Sequence, residues 1–237
     1  MVRAAGAGWA QPHYTRVRSS SADAMSNPFQ NAVFLTSAAK PVGLPPADRP
    51  EIGFAGRSNA GKSSALNALT GQKQLARVSK TPGRTQLLNF FDCPQVRMVD
   101  LPGYGFAKVP EKVRKSWGAM VGNFLQKRDN LVGVVLVMDV RHPLTEFDQQ
   151  MLAWTIEYHR RCHILLTKAD KFSFGKAKAQ MLAVQRAIGE QPGVSLQLFS
   201  SLKRTGVEEA RSTLAGWVAE ELASPPIGDV DQDVGSD

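Results

Sequence analysis

The segment Gly56-Arg57-Ser58-Asn59-Ala60-Gly61-Lys62-Ser63, with Ser64 behind it, carries the clearest chemistry in the chain. It fits G-x-x-x-x-G-K-[ST] in full, and its glycines let successive backbone N–H groups turn into one concavity. A helix opening near Lys62 adds the positive end of its dipole. The chemistry this suits is phosphate binding, with Lys62 reaching β/γ-phosphate oxygens and the Ser63 hydroxyl ligating Mg2+. A chance match in a chain of this length is on the order of one percent. An apolar strand ending at Ala55 lowers it further, so a mere Gly-rich turn is the weaker account.

The phosphate loop does not choose the base. That choice falls to Thr167-Lys168-Ala169-Asp170, directly after an apolar run. An [NT]-K-x-D segment places a carboxylate where guanine N1–H and the 2-amino group can donate to it, and adenine offers neither donor. Two charge-assisted bonds at roughly 1.5–3 kcal/mol each give about 3–6 kcal/mol, or a discrimination of order 10² to 10⁴. The Lys168 stem is expected over the base plane, with Thr167 bracing the phosphate loop. In Phe199-Ser200-Ser201 a backbone N–H could meet guanine O6, although that motif is weak alone.

Asp100-Leu101-Pro102-Gly103 matches D-x-x-G, a pattern expected about once per chain by chance. Its position after an apolar strand gives it weight: Asp100 would hold Mg2+ through water, and the Gly103 N–H would meet the γ-phosphate. Between the two lies Ser79-Lys80-Thr81-Pro82-Gly83-Arg84-Thr85, then Gln86 and Leu87, a polar Gly/Pro stretch suited to a mobile switch. Thr85 is expected to complete the Mg2+ shell, with Thr81 the alternative. The residue after Gly103 is Tyr104, where Ras-type enzymes carry a water-orienting glutamine. A phenol cannot both donate to phosphate and hold the nucleophilic water, which predicts turnover at or below ~10⁻⁴ s⁻¹.

These residues need a scaffold, and the pattern from Glu51 supplies one. Short apolar runs alternate with amphipathic stretches, the βα rhythm of a three-layer α/β domain. Strands are predicted at Glu51–Ala55, Gln86–Phe91, Val96–Val99, Val132–Met138, His163–Leu166 and Ser195–Phe199. Helices are predicted at Lys62–Thr70, Glu111–Lys127, Thr145–His159, Lys176–Gly189 and Gly206–Leu222. Asn31–Thr36 could be a strand, followed by a proline-rich connector. Phe147, Met151, Trp154 and Tyr158 share a helical face that reads as core packing. Thr205 and Glu208 suggest a capping box ahead of the buried stripe Val207, Ala210, Leu214 and Trp217. The predicted fold is a mostly parallel six-stranded P-loop sheet with one antiparallel edge strand and helices on both faces.

At 237 residues the chain fits one such domain with tails. The expected division is a basic disordered tail over 1–27, the nucleotide domain over 28–222 and an acidic tail over 223–237. A formal charge of +8 favours an anionic partner, with RNA, a membrane surface and nucleotide all eligible. Lys80, Arg84, Lys108, Lys112, Arg114 and Lys115 cluster around the switches, where they would touch RNA or form a solvated helix face. The early residues Arg3, Arg16 and Arg18, with no acid before Asp23, touch a transit peptide in composition; a plain tail, or a start at Met25, is the alternative. Cys93 and Cys162 match no metal spacing and read as small buried hydrophobes, which suits a reducing cytosol. The longest strongly apolar run, 131–138, is far short of the ~20 residues that span a bilayer. His142, His159 and His163 have neither metal spacing nor a nucleophile partner.

Taken together, GRSNAGKSS (56–64), SKTPGRTQ (79–86), DLPGYG (100–105), RHPL (141–144), TKAD (167–170) and FSSLK (199–203) resemble the EngB/YihA/YsxC family of bacterial GTPases. The resemblance covers roughly 28–221. It implies a Ras-like domain that hydrolyses GTP with Mg2+ and assists large (50S) ribosomal subunit assembly, needed for normal cell division and septation. A cytoplasmic monomer acting on rRNA or a subunit precursor follows from that resemblance. In several related GTPases an asparagine at the position of Asn59 helps hold K+ against the phosphates; a side-chain cap on the loop is the alternative. A GTP-sensing ribosome-binding module with incidental hydrolysis is the other functional reading, favoured by Tyr104. A P-loop kinase or ATPase is disfavoured by Asp170.

Overall fold

In the computed structural model the described residues are 27–76, 87–103 and 111–224. The expected tails 1–27 and 223–237 therefore lie almost wholly outside them. In chain order the elements are β1 (Val33–Ala38), β2 (Glu51–Gly56), α1 (Lys62–Thr70), β3 (Leu88–Asp92), β4 (Arg97–Asp100), α2 (Glu111–Lys127) and β5 (Leu131–Asp139). They continue as α3 (Glu146–Glu157), β6 (Arg161–Thr167), α4 (Phe174–Ile188), β7 (Val194–Leu198) and α5 (Val207–Ala223).

The strands form one sheet in the order β1-β3-β4-β2-β5-β6-β7. From β4 to β7 every pairing is parallel, while β3 runs antiparallel to both β4 and β1. The expected class holds, with seven strands where six were predicted. The added one is β1, from the segment whose character the sequence left open. It pairs on one side only, and Val33, Phe34 and Leu35 are exposed, so its composition never showed the alternation of a half-buried strand.

Helices cover both faces. Ile52, Phe54, Val135 and Val137 face α1 and α5, packing on Leu66, Leu69, Val207, Leu214 and Trp217. Val99, Val134, Leu136 and Met138 face α2, α3 and α4, meeting Val121, Leu125, Met151 and Val184. Because β2 and β5 are covered on both sides, they read as near-continuous apolar runs. Gly133 in β5 has a steric reason: a Cβ there would lie 2.5 Å from the Trp217 ring. The predicted capping box at Thr205 is not formed. Gly206, at φ 72°, is the N-cap of α5, and Thr205 instead bridges Ser200 across the preceding loop. A capping box does open α3, through Thr145 and Asp148. Both cysteines are buried, and burial pushes each thiol up to about 12. His163 is buried, with its ring nitrogens on Ser195 Oγ at 2.7 Å and Gln197 Oε1 at 2.8 Å.

The amino ends of the parallel strands meet in a buried ion network. Glu51, fully buried at the start of β2, accepts from Arg97 (3.2 Å) and from Arg128 through both carboxylate oxygens (2.5 and 2.8 Å). Arg97 also reaches Asp92 at 2.8 Å, Asp48 at 3.1 Å and the Pro46 carbonyl at 2.8 Å. Removing one member leaves the others buried and under-paired, which costs about 3–5 kcal/mol. Glu51→Ala should lower the urea-derived unfolding free energy by about 3 kcal/mol. A loss under about 1 kcal/mol would mean the arginines find other partners.

Candidate functional site

Among the described residues, the motifs with chemistry sit at the carboxyl ends of parallel strands, where open α/β sheets bind ligands. The phosphate loop follows β2, Asp100 ends β4, Asp139 ends β5, Thr167 ends β6, and Phe199-Ser200-Ser201 follows β7.

Gly56 lies so close to β5 that a Cβ would stand 2.7 Å from the Val137 carbonyl. The loop then turns, with the Ala60 N–H on the Arg57 carbonyl at 2.9 Å and Asn59 in the left-handed region at φ 64°. Gly61, at φ 104°, caps α1 without any side-chain bond to the helix N–H groups, leaving those donors for an anion. Ser63 and Arg57 are half-buried; Ser64 is exposed and turned away from the core. The Ser58 hydroxyl is buried with no hydrogen-bond partner among the described residues, a position a phosphate oxygen would satisfy.

The Lys62 ammonium bonds the Asp100 carboxylate, each side chain being mostly buried. Beyond Asp100, the Leu101 N–H meets the Phe54 carbonyl at 2.9 Å, and Pro102 is buried. Gly103 lies against the phosphate loop: a Cβ on it would be 3.3 Å from Ser58 Oγ. The Ser63 hydroxyl and Asp100 carboxylate are hard oxygen donors, few in number, of the kind that hold Mg2+ shared with phosphate. That donor set fits the metal.

At the other end, Asp170 accepts a 2.5 Å hydrogen bond from Ser200 Oγ, and the Ser200 hydroxyl in turn accepts from the Lys203 N–H at 3.1 Å. The Ala169 N–H reaches the Phe199 carbonyl at 3.1 Å, so the loops after β6 and β7 are stitched together. Phe199 is fully buried beneath them, and Ser201 is half-buried beside Ser200. The two ends are joined directly. The Thr167 hydroxyl bonds the Ala60 carbonyl and also the Met138 carbonyl (3.0 Å), and Lys168 Nζ donates to the Asn59 carbonyl at 2.6 Å.

The structure thus brings Gly56 to Ser63, Asp100 to Gly103, Thr167 to Asp170 and Phe199 to Ser201 to one edge. Leu87 is half-buried just before β3. Gly83, Arg84, Thr85 and Gln86 lie outside the described residues, as do Thr81, Tyr104, Lys80 and Lys108. Two site-edge residues were missed. Asp139 is one; an acid ending a buried apolar strand was a readable signal. Trp117 is the other, with its indole N–H on the Pro102 carbonyl at 3.0 Å, and its helix pattern gave no hint of that contact.

The family model described as "50S ribosome-binding GTPase" matches residues 51–168. A protein of Azoarcus sp. (strain BH72) named "Probable GTP-binding protein EngB" is 54% identical over 199 residues, covering 82% of this chain and 95% of that one. A protein of the same name from Coxiella burnetii (strain CbuK_Q154) is 53% identical over 197 residues, covering 81% and 95%. The solved structure titled "Crystal structure of a probable GTP-binding protein engB" has a TM-score of 0.61 at 21% identity, covering 72% of this chain and 99% of that one. At that identity it bears on the fold. Among the described residues no helix is long and apolar enough to cross a membrane.

Asp139 is 5% exposed and shares its carboxylate between Arg141 (2.6 and 2.9 Å) and Lys168 (2.9 Å). Burial alone would raise its pKa, but the bonds from Arg141 and Lys168 outweigh burial and hold it well below the usual carboxylate range. A carboxyl depressed in the folded state adds stability above its unfolded value of ~3.9 and loses it as pH falls towards the folded value. Asp139→Asn should therefore flatten the acid side of the stability profile. Urea midpoints between about pH 5 and pH 2 measure it; identical slopes in the two proteins would exclude Asp139 as a source.

Proposed function

We propose that this chain, which belongs to the EngB family of GTP-binding proteins, couples its GTPase cycle to assembly of the large (50S) ribosomal subunit in the cytoplasm. In that role it would serve normal cell division and septation. The chain is a P-loop GTPase and takes guanine nucleotide; the proposal concerns which residues do this and what the cycle drives. The observation that carries it is the Asp170 carboxylate, held by Ser200 at the same sheet edge as the phosphate loop.

In this reading Asp170 accepts from guanine N1–H and the 2-amino group, and the stem of Lys168 lies along the base. A backbone N–H of the Phe199–Ser201 turn meets O6. Lys62 exchanges Asp100 for the β/γ-phosphate oxygens as nucleotide enters, and the Gly103 N–H meets the γ-phosphate. Ser63, Thr85 and, through water, Asp100 would hold Mg2+, which would neutralise phosphate charge when bound. The working unit is residues 28–222, acting as a monomer. The ribosomal half of the proposal is supported by the wording of the matching family model and by a net charge of +8. Lys115, exposed on α2, and the basic residues before it are the RNA contacts this suggests.

Titration with GTP, GDP and ATP, with and without 50S particles, tests both halves. Both guanine nucleotides should bind on the order of 10² to 10⁴ times more tightly than ATP, and Asp170→Ala should remove most of that margin. Equal affinity for ATP would end the account. Binding to 50S particles should require GTP and fall steeply with salt; insensitivity to both would refute the ribosomal half.

Turnover of the isolated protein should sit at or below ~10⁻⁴ s⁻¹, because Tyr104 replaces an amide that orients water. Asn59 is exposed in its left-handed turn with its carbonyl on Lys168, and we assign its side chain to K+ at the phosphates. Turnover should then be faster in KCl than in NaCl, and equal rates would remove the ion. A steady rate near ~1 s⁻¹ would contradict the role given to Tyr104.

A further inference from the structure

Trp117, in α2, is 7% exposed, and its indole N–H donates to the Pro102 carbonyl at 3.0 Å. That oxygen belongs to the peptide unit whose nitrogen is Gly103. A peptide unit is planar, and in the trans form its C=O and N–H point in opposite directions; no described peptide is cis. A donor fixed on the Pro102 oxygen therefore fixes where the Gly103 N–H points. From these observations we propose that Trp117 is a positioning residue for γ-phosphate recognition, orienting the Gly103 N–H through the Pro102–Gly103 peptide.

Three features give the contact leverage. Among the described residues, the turn after β4 is tied to the sheet backbone by the Leu101 N–H on the Phe54 carbonyl, and Trp117 adds a further fixed point on the far side of Pro102. The indole is itself held by α3, stacked on Trp154 at 6.0 Å between centroids and edge-on to Phe147 at 6.4 Å. Gly103 already lies against Ser58 and Gly56 of the phosphate loop, so a rotation of this peptide moves a donor at the phosphates. An amide whose oxygen accepts a hydrogen bond is also polarised into a stronger donor at nitrogen. A buried indole N–H needs some partner wherever it falls, so the test must separate orientation from plain packing.

GDP lacks the γ-phosphate, which makes the ratio of affinities the informative quantity. The inference rests on the reading of Gly103 as a γ-phosphate donor. Trp117→Phe keeps an aromatic ring beside Trp154 and deletes the donor. It should weaken binding of a non-hydrolysable GTP analogue roughly tenfold while GDP affinity stays within about twofold, and GTP turnover should fall. Trp154→Phe keeps an aromatic ring against Trp117 and leaves the indole bond to Pro102 in place, so it should lower stability and leave the ratio alone. If Trp117→Phe weakens both nucleotides equally, or neither, the positioning role is overturned. Should that variant fail to fold, the indole 15N–1H resonance of Trp117 in the unmodified chain decides. The proposal requires it to shift with the GTP analogue and not with GDP, and a resonance indifferent to the analogue overturns it. A wild-type protein without preference for guanine nucleotides would sink the site assignment itself; preference intact with an unchanged ratio in Trp117→Phe would sink only this proposal.

Discussion

The phosphate loop is held from two strands away, by a threonine hydroxyl on the Ala60 carbonyl and a lysine ammonium on the Asn59 carbonyl. Thr167 and Lys168 belong to the segment that ends in Asp170, so the Gly56–Ser63 loop and the Thr167–Asp170 segment are tied through backbone oxygens. Their separation depends on two parallel registers, Gly56 opposite Val137 and Asp139 opposite Thr167. A slip of one residue at either would move the carboxylate by ~3.3 Å along the strands and turn alternate side chains to the wrong face. Gly56 and Gly61 are glycines for this reason. The first passes the Val137 carbonyl with no room for a Cβ, and the second takes a backbone angle that L side chains avoid, with Thr167 just behind it.

Charges at this edge are compensated in pairs. Lys62 faces Asp100, and Asp139 is shared by Arg141 and Lys168. Asp170 is steadied by a neutral hydroxyl, with the Lys171 ammonium only at 3.9 Å. Its carboxylate is thus in direct contact with fewer cations than that of Asp139. Asp139 stands opposite: saturated by two cations and nearly buried, it holds Lys168 in place and has no capacity left for a ligand.

Local chemistry was the legible part. The helix bounds Lys62–Thr70 and Glu111–Lys127 follow directly from the residues, and the strand ends carrying Asp100 and Thr167 fall within two residues of expectation. Motif spacing picked out the glycine-lined loop and the Thr167–Asp170 segment because both are written in consecutive residues. What stayed hidden depends on distant partners. Strand β1, marked in the sequence only as a possible strand at Asn31–Thr36, is settled by its pairing with β3, since its own side chains are largely exposed. Thr205 has the right neighbours for a cap, yet Gly206 is the N-cap in left-handed geometry, where the Leu198 carbonyl and Gln197 amide fill the space a Cβ would need. The Trp117 contact with Pro102 spans fifteen positions between a helix and a turn, and no periodicity encodes it.

The ion network at the opposite end of the sheet bears on the site as well. Glu51 and Arg97 are register partners at the start of β2 and β4, and the same ladder runs up to Phe54 opposite Asp100. A buried charged pair is specific in a way apolar contacts are not, because a shifted strand would leave both charges unpaired in low dielectric. Three residues further on, about 10 Å at strand rise, that register decides where the Asp100 carboxylate stands relative to the loop leaving β2. Arg128, at the end of α2, joins the same glutamate, and α2 also carries Trp117. One buried carboxylate therefore fixes the strand that bears Asp100 and the helix that grips the turn after it. The placement of the D-x-x-G turn is set from both directions by charges that never meet the nucleotide.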